Sequence, residues 1–343
     1  MAQSTDRWDQ GPSLALAPAE GRLFEQPWDG GTRLRLRISP GTLSTNHLAS
    51  GELEIPAGIT THPRVELASD LIFYGLEGQG ILHCGKTSWP LSPDTTVWIP
   101  FDSAYSIEAS DDTLRLFWIA TPHGFETSYE RSADASTLDE AIVKTPPNTA
   151  RILNADEFNA YKGEGQITVL SPEEGRSFWQ PDPTRGYAAP KLTPRVTGRP
   201  GFSMGLQIIG ANGGLLIPHA HARSEEMLLI VRGRGKAMLN GQSLDVEPGS
   251  LVFAGRWVPH GLESVGAEDL WVLWFITPGE GLEHMLEGFG RPRQPGQTEP
   301  AGEVTRFLCA DRRILRDIVV RVGLSTMRLG AGSVSKANLW IEL

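Results

Sequence analysis

The stretch HAHARSEEMLLIVRGRG, residues 219–235, puts two histidines, a serine and two glutamates at the head of an apolar run that two glycines close. Side chains at i and i+2 of a strand share a face, so His219 and His221 point the same way. Two imidazoles on one face, joined by a third donor from the next strand, make one side of a metal site. Proline and glycine before them (GGLLIPHAH, 213–221) fit a strand that starts after a bend. The short step that follows fits a turn into an antiparallel partner. If Glu226 faces inward there, Leu228 and Ile230 do too, and Glu225 faces out or sits in the turn. A lone His-x-His is more often a coincidence than a ligand pair, so the reading needs support from the rest of the chain.

The chain has 343 residues, 40% hydrophobic and 21% charged, enough for two domains or one large one. Its 38 glycines and 25 prolines favour many short strands and turns over long helices. A formal net charge of −10 without any run of Lys or Arg argues against nucleic acid as a partner. No basic segment leads into an apolar stretch at the N-terminus, and DLWVLWFITP (269–278) is about half the length of a membrane span, so no membrane role is expected. Cys84 and Cys309 stand alone and far apart, as thiols of a reducing compartment do. A cytoplasmic location is expected.

The chain also repeats itself. SDLIFYGLEGQG (69–80) lies over SEEMLLIVRGRG (224–235) with Ser69 on Ser224, Gly78 on Gly233 and Gly80 on Gly235. The same offset places Pro93 on Pro248 and Val97 on Val252, and LRLFWIATP (114–122) follows LWVLWFITP (270–278) after a one-residue slip. Two copies of one unit of short strands predict an all-β fold, a barrel or sandwich built twice. Helix-like sequence is confined to segments such as SADASTLDEAIVK (132–144) and GEGLEHMLEGFG (279–290). The expected organisation is an N-terminal barrel over 1–145, a linker with a C-terminal barrel over 146–295, and a strand-rich extension over 296–343. The Pro-, Gly- and Thr-rich stretches 144–166 and 181–201 read as linker and covering segments.

The second copy resembles a cupin, whose first motif is G-x5-H-x-H-x3,4-E-x6-G. Gly213, His219, His221, Glu226 and Gly233 fit it at every spacing. The second motif brings one more histidine after a Pro-x-Gly-like turn, and Pro248, Gly249 and His260 answer to it. The resemblance implies tandem double-stranded β-helix (jelly-roll) barrels and a divalent ion held by His219, His221, Glu226 and His260. It favours Glu226, six residues before Gly233, and keeps Glu225 as the alternative. Iron(II) or manganese(II) is the favoured ion, with nickel, copper or zinc also able to occupy such a set.

The first copy departs from the pattern. It keeps His62, but Arg64 stands in the place of the second histidine, Leu71 (with Asp70 beside it) at the glutamate and Tyr105 at His260, so that barrel is expected to bind no metal. Among two-barrel relatives, the flavonol-cleaving (quercetinase) dioxygenases are similar in their three-histidine, one-glutamate site within an apolar pocket. Gentisate-type dioxygenases resemble the layout but lack the glutamate. Ureidoglycine aminohydrolases resemble the asymmetry, with metal in the C-terminal barrel alone. The resemblance therefore implies an O2-dependent dioxygenase acting on a small organic molecule. A metal-dependent hydrolase or lyase is the alternative, and a non-catalytic small-molecule binder the third reading. Glu226 would serve as base, and Gln207, Met238, Phe253 and Trp257, with Trp274, are the expected substrate-side residues. Cupins commonly dimerise by sharing strands, so a homodimer or higher homo-oligomer is expected.

Overall fold

The computed structural model describes residues 10–45, 47–162, 166–279, 286, 288 and 290–300, together with the short strand Ile318–Val319. Alternating apolar residues in short runs, punctuated by glycine and proline, give antiparallel strands throughout, with a few short helices. The fold is all-β and made of two jelly-roll units, residues 19–174 and residues 1–18 with 175–343.

Each unit pairs one large and one small sheet, and the large sheets run in the same order. In the first unit that order is Thr168–Leu170, Thr96–Ile99, Asp70–Glu77, Leu114–Thr121, Ala49–Ile55, Thr32–Ile38 and Arg22–Gln26. In the second it is Ser13–Leu16, Leu251–Ala254, Glu225–Arg232, Leu270–Thr277, Ser203–Ile209, Tyr187–Leu192 and Ser177–Trp179, with Arg291–Arg293 added at the edge. The small sheets place Arg64–Glu66 beside Ala104–Ala109, and Leu215–His221 beside His260–Ser264.

This arrangement moves the expected boundary. Ala150–Ile152 is not linker but an edge strand of the first unit, paired with Arg64–Glu66, and Thr168–Leu170 is another, paired with Thr96–Ile99. Tyr187–Leu192, expected as covering segment, is an inner strand of the second; its Pro190 sits where the register shifts, the place a sheet tolerates a missing N–H. Ser13–Leu16 pairs with Leu251–Ala254 and so belongs to the second unit, although the chain runs from it directly into the first. The Leu138–Lys144 helix falls within one expected helical segment and is capped by the Thr137 side chain. The other expected helix, over 279–290, falls mostly outside the described residues, as do Cys309 and nearly all of the 296–343 extension beyond residue 300. Among the described residues no helix is long and apolar enough to cross a membrane.

Both cores are filled from the same positions. Trp118 lies across from Gly51 and Trp274 across from Gly205, and a Cβ on Gly205 would come within 2.7 Å of the Trp274 ring. The glycines that end the repeated strand are equally constrained. Gly78 and Gly233 both adopt φ +78°, with the carbonyls of Thr113 and Asp269 at 2.3 and 2.4 Å from where a Cβ would sit. Left-handed backbone costs an L-residue about 1–2 kcal/mol before any clash. Gly233→Ala is therefore expected to lower the melting temperature by at least about 3 °C, read by thermal unfolding. An unchanged melting temperature would show that the turn relaxes at no cost.

Candidate metal centre

Four side chains from three strands converge inside the second unit. His219 and His221 lie two residues apart on Leu215–His221, Glu226 is the second residue of Glu225–Arg232, and His260 opens His260–Ser264. His219 and His260 are direct cross-strand partners. Glu226 is flanked by Ala254 and Ile276, which puts it on the inner face. One donor atom from each residue lies within 4.8 Å of all the others. Glu226 Oε2 stands 2.6 Å from His260 Nε2, 3.0 Å from His221 Nε2 and 3.7 Å from His219 Nε2. The cluster is buried; His219, at 13% side-chain exposure, is its most open member.

Backbone carbonyls orient two of the rings. His219 Nδ1 is 2.9 Å from the carbonyl of Ile217, and His260 Nδ1 is 2.8 Å from that of Val258. A carbonyl only accepts, so both Nδ1 atoms carry hydrogen and both Nε2 atoms face the carboxylate. A neutral Nε2 and a carboxylate oxygen are both acceptors, and they do not approach to 2.6 Å unaided. Positive charge must lie between them, as a proton or as a metal ion. Three imidazoles and one carboxylate, with ring orientation fixed by outer hydrogen bonds, fit a divalent ion.

The electrostatics agree with that fit. Burial alone would push the Glu226 carboxyl up, but hydrogen bonds from the three histidines hold it well below the usual carboxylate range. Burial pushes His221 down to about 4 against the pull of Glu226, which keeps its ring neutral near pH 7. At His219 burial opposes protonation as well, yet the hydrogen bond to Glu226 and its charge carry the ring above its ordinary value. A metal must displace that proton. Metal affinity is thus expected to rise about tenfold per pH unit below the raised His219 value and to level off above it. Competition titrations across the range from mildly acidic to mildly basic pH check this, and a flat profile would mean that His219 is not a ligand.

Residues 206–276, which contain all four side chains, match the cupin domain family. That segment of the chain is a cupin domain. No curated protein matches it at the level of sequence. Solved structures share the fold at low identity. A single-site variant of the oxalate decarboxylase of Bacillus subtilis is 13% identical, over 80% of this chain and 79% of that one, with a TM-score of 0.55. Protein Ylba of E. coli is 11% identical over 78% and 91%, at 0.54, and procruciferin, an 11S globulin of Brassica napus, 10% over 80% and 86%, at 0.53.

Around the quartet, Ala254, Ile276, Trp274, Leu228, Val258 and Leu262 form one buried apolar cluster. Gln207 shares that face through Val272 and Ala188, with its amide bonded to the carbonyls of Tyr187 and Ile208. Trp257 adjoins the site through its backbone, whose N–H donates to the His221 carbonyl at 2.8 Å. Two expected substrate residues lie elsewhere. Phe253 pairs with Met227 on the face opposite Glu226. Met238 alternates with Ala237 and Leu239, and it is Leu239 that stands across from His260. Glu225, one residue out of phase with Glu226, is turned to the opposite face and pairs with Thr277.

The first unit corrects the alignment as well. Tyr105 lies across from Arg64 as His260 does from His219, and Leu71 lies across from Ile99 as Glu226 does from Ala254. Arg64 therefore takes the place of the first histidine and Glu66 that of the second, while His62 falls outside the set. Counting back from Gly78, as from Gly233, finds Glu66 in the sequence itself.

Proposed function

We propose that this cupin is a metal-dependent enzyme acting on a small organic molecule, and that its reaction is an O2-dependent dioxygenation. The supporting observation is the buried quartet itself: four donors converge inside a largely apolar barrel, and an iron or manganese ion that takes about six ligands would keep positions for exogenous ones. A bound Fe(II) or Mn(II) would order a substrate oxygen and O2 and act as Lewis acid. The chain's own part is to hold the four donors in place, to exclude water with Trp274, Leu228 and Val258, and to accept a substrate proton at the Glu226 carboxylate. The neighbours that share the quartet's face, Ala254, Ile276, Trp274 and Gln207, are uncharged, which favours a neutral or weakly acidic substrate over one that needs a cationic clamp. Hydrolase or lyase chemistry at the same ion is the alternative. The globulin likeness is one of fold and supplies no reason for a quartet of metal donors.

The test is metal content per chain on protein purified without added metal, together with oxygen uptake against catechols, flavonols and hydroxy-ketones. About one equivalent of metal per chain with substrate-dependent oxygen consumption is expected. One equivalent without uptake would replace the dioxygenase by the hydrolase or lyase reading, and metal-free protein that takes up none would end the metalloenzyme reading.

A further inference from the structure

The set Arg64, Glu66, Leu71 and Tyr105 occupies the register positions of His219, His221, Glu226 and His260, and it makes a cluster of its own. Arg64 Nε donates to Glu66 Oε1 at 2.6 Å, Arg64 Nη2 donates to Ser128 Oγ at 2.6 Å, and the Tyr105 hydroxyl donates to the same Glu66 oxygen at 3.2 Å. The guanidinium carbon lies 5.2 Å from the Phe125 ring centre and 4.7 Å from that of Tyr129, both on the helix Phe125–Ser132. All four residues of the set are buried.

Charge separates the two barrels. Three neutral imidazoles and one carboxylate sum to −1, and a site of that charge calls for a cation. One guanidinium and one carboxylate, with a leucine and a phenol, sum to 0 and call for none. A buried carboxylate has to be compensated, and Arg64 does this by direct contact.

We propose that the Arg64 guanidinium is the resident cation of the first barrel, standing where a metal ion would sit in the second, so that this barrel closes on its own ion pair and needs no metal. The fork of donors reaches Glu66 and Ser128 at once, and two aromatic faces cover it, an environment suited to a guanidinium. The comparison with the second barrel rests on the metal reading of that site; the ion pair does not.

The test returns metal donors to the first barrel. Arg64→His/Glu66→His/Leu71→Glu, made in the full chain, restores a net charge of −1 with two imidazoles, a carboxylate and the Tyr105 phenol. Its Co2+ content, by equilibrium dialysis, is expected to exceed that of the parent by one equivalent. The same triple change on a His219→Ala/His260→Ala background is expected to gain the same equivalent, which keeps the result independent of the second barrel. A folded triple variant that gains no Co2+ on either background overturns the proposal. If the triple variant does not fold, a charge cycle decides. Arg64→Met and Glu66→Leu alone are each expected to lower the melting temperature by at least about 6 °C, and Arg64→Met/Glu66→Leu to recover more than half of that loss. A double variant that loses the sum of two such single losses, or singles that lose nothing, would mean that the pair does not act as a self-neutralising unit, and would overturn the proposal too.

Discussion

His260→Ala is expected to remove nearly all bound metal while leaving both barrels folded. His260 is the most enclosed of the quartet, with a side chain 1% exposed, and its Nε2 makes the closest approach to Glu226. It also faces His219 directly across the strand pair, so its loss opens one side of the donor set. Disturbing only the outer partners of a metal ligand commonly costs about 10- to 100-fold in affinity, so deleting the ligand itself is expected to cost at least about 100-fold. The fold is expected to survive because the core around the site is supplied by Leu228, Val252, Trp274 and Ile276. Truncation does leave the Val258 carbonyl without its donor, and a loss of about 1–3 kcal/mol in stability goes with that. Elemental analysis beside thermal unfolding reads both quantities. A folded variant with full metal content would remove His260 from the ligand set.

The two glutamates give the second large effect. Glu226→Gln keeps shape and removes charge, so the donor set falls from −1 to 0 and the metal loses its one anionic ligand. A turnover loss of about 10²–10⁴-fold is expected if the carboxylate accepts the substrate proton, with weaker metal binding besides. Glu225→Gln, one residue away and on the other face of the strand, is expected to change turnover by less than about twofold, since its side chain is turned from the donors. Paired measurements of kcat, KM and metal content on the two variants settle their roles. The opposite pattern would place the strand one residue out of register.

The convergence of His219, His221, Glu226 and His260 is legible in the sequence because its evidence is local. His219, His221 and Glu226 lie within eight residues, and the strand period of two fixes which of them can face together. What escapes the sequence is mostly register. Phe253 sits in a run where every residue is apolar or small, so nothing in the run marks the inward phase; its partner Met227 does. Met238 does carry a local signal, since the exposed Lys236 two residues earlier shares its face. Arg64 matches the wrong histidine for a similar reason, when the alignment is anchored on His62 instead of on the glycine that closes the next strand. The composition of 144–166 and 181–201 misleads in another way. Strands of three to six residues among prolines and glycines leave too short a pattern to separate from a connecting loop.

The strand Ser13–Leu16 has a consequence for biosynthesis. It leaves the ribosome before every other described strand of its own barrel, yet Ser13 finds its partner at Ala254, 241 residues later. Until then an apolar four-residue edge has no neighbour to pair with, while residues 19–174 can already close their own barrel. The barrel with the histidine and glutamate quartet is thus completed last, by a contact whose loop spans most of the chain, the kind of closure that slows folding. A single cut between Leu16 and Arg22 in the finished protein would leave this strand attached without a covalent link, held by its pairing, by the hydrogen bonds of Gly11 and Pro12, and by the packing of Ala15 on the core.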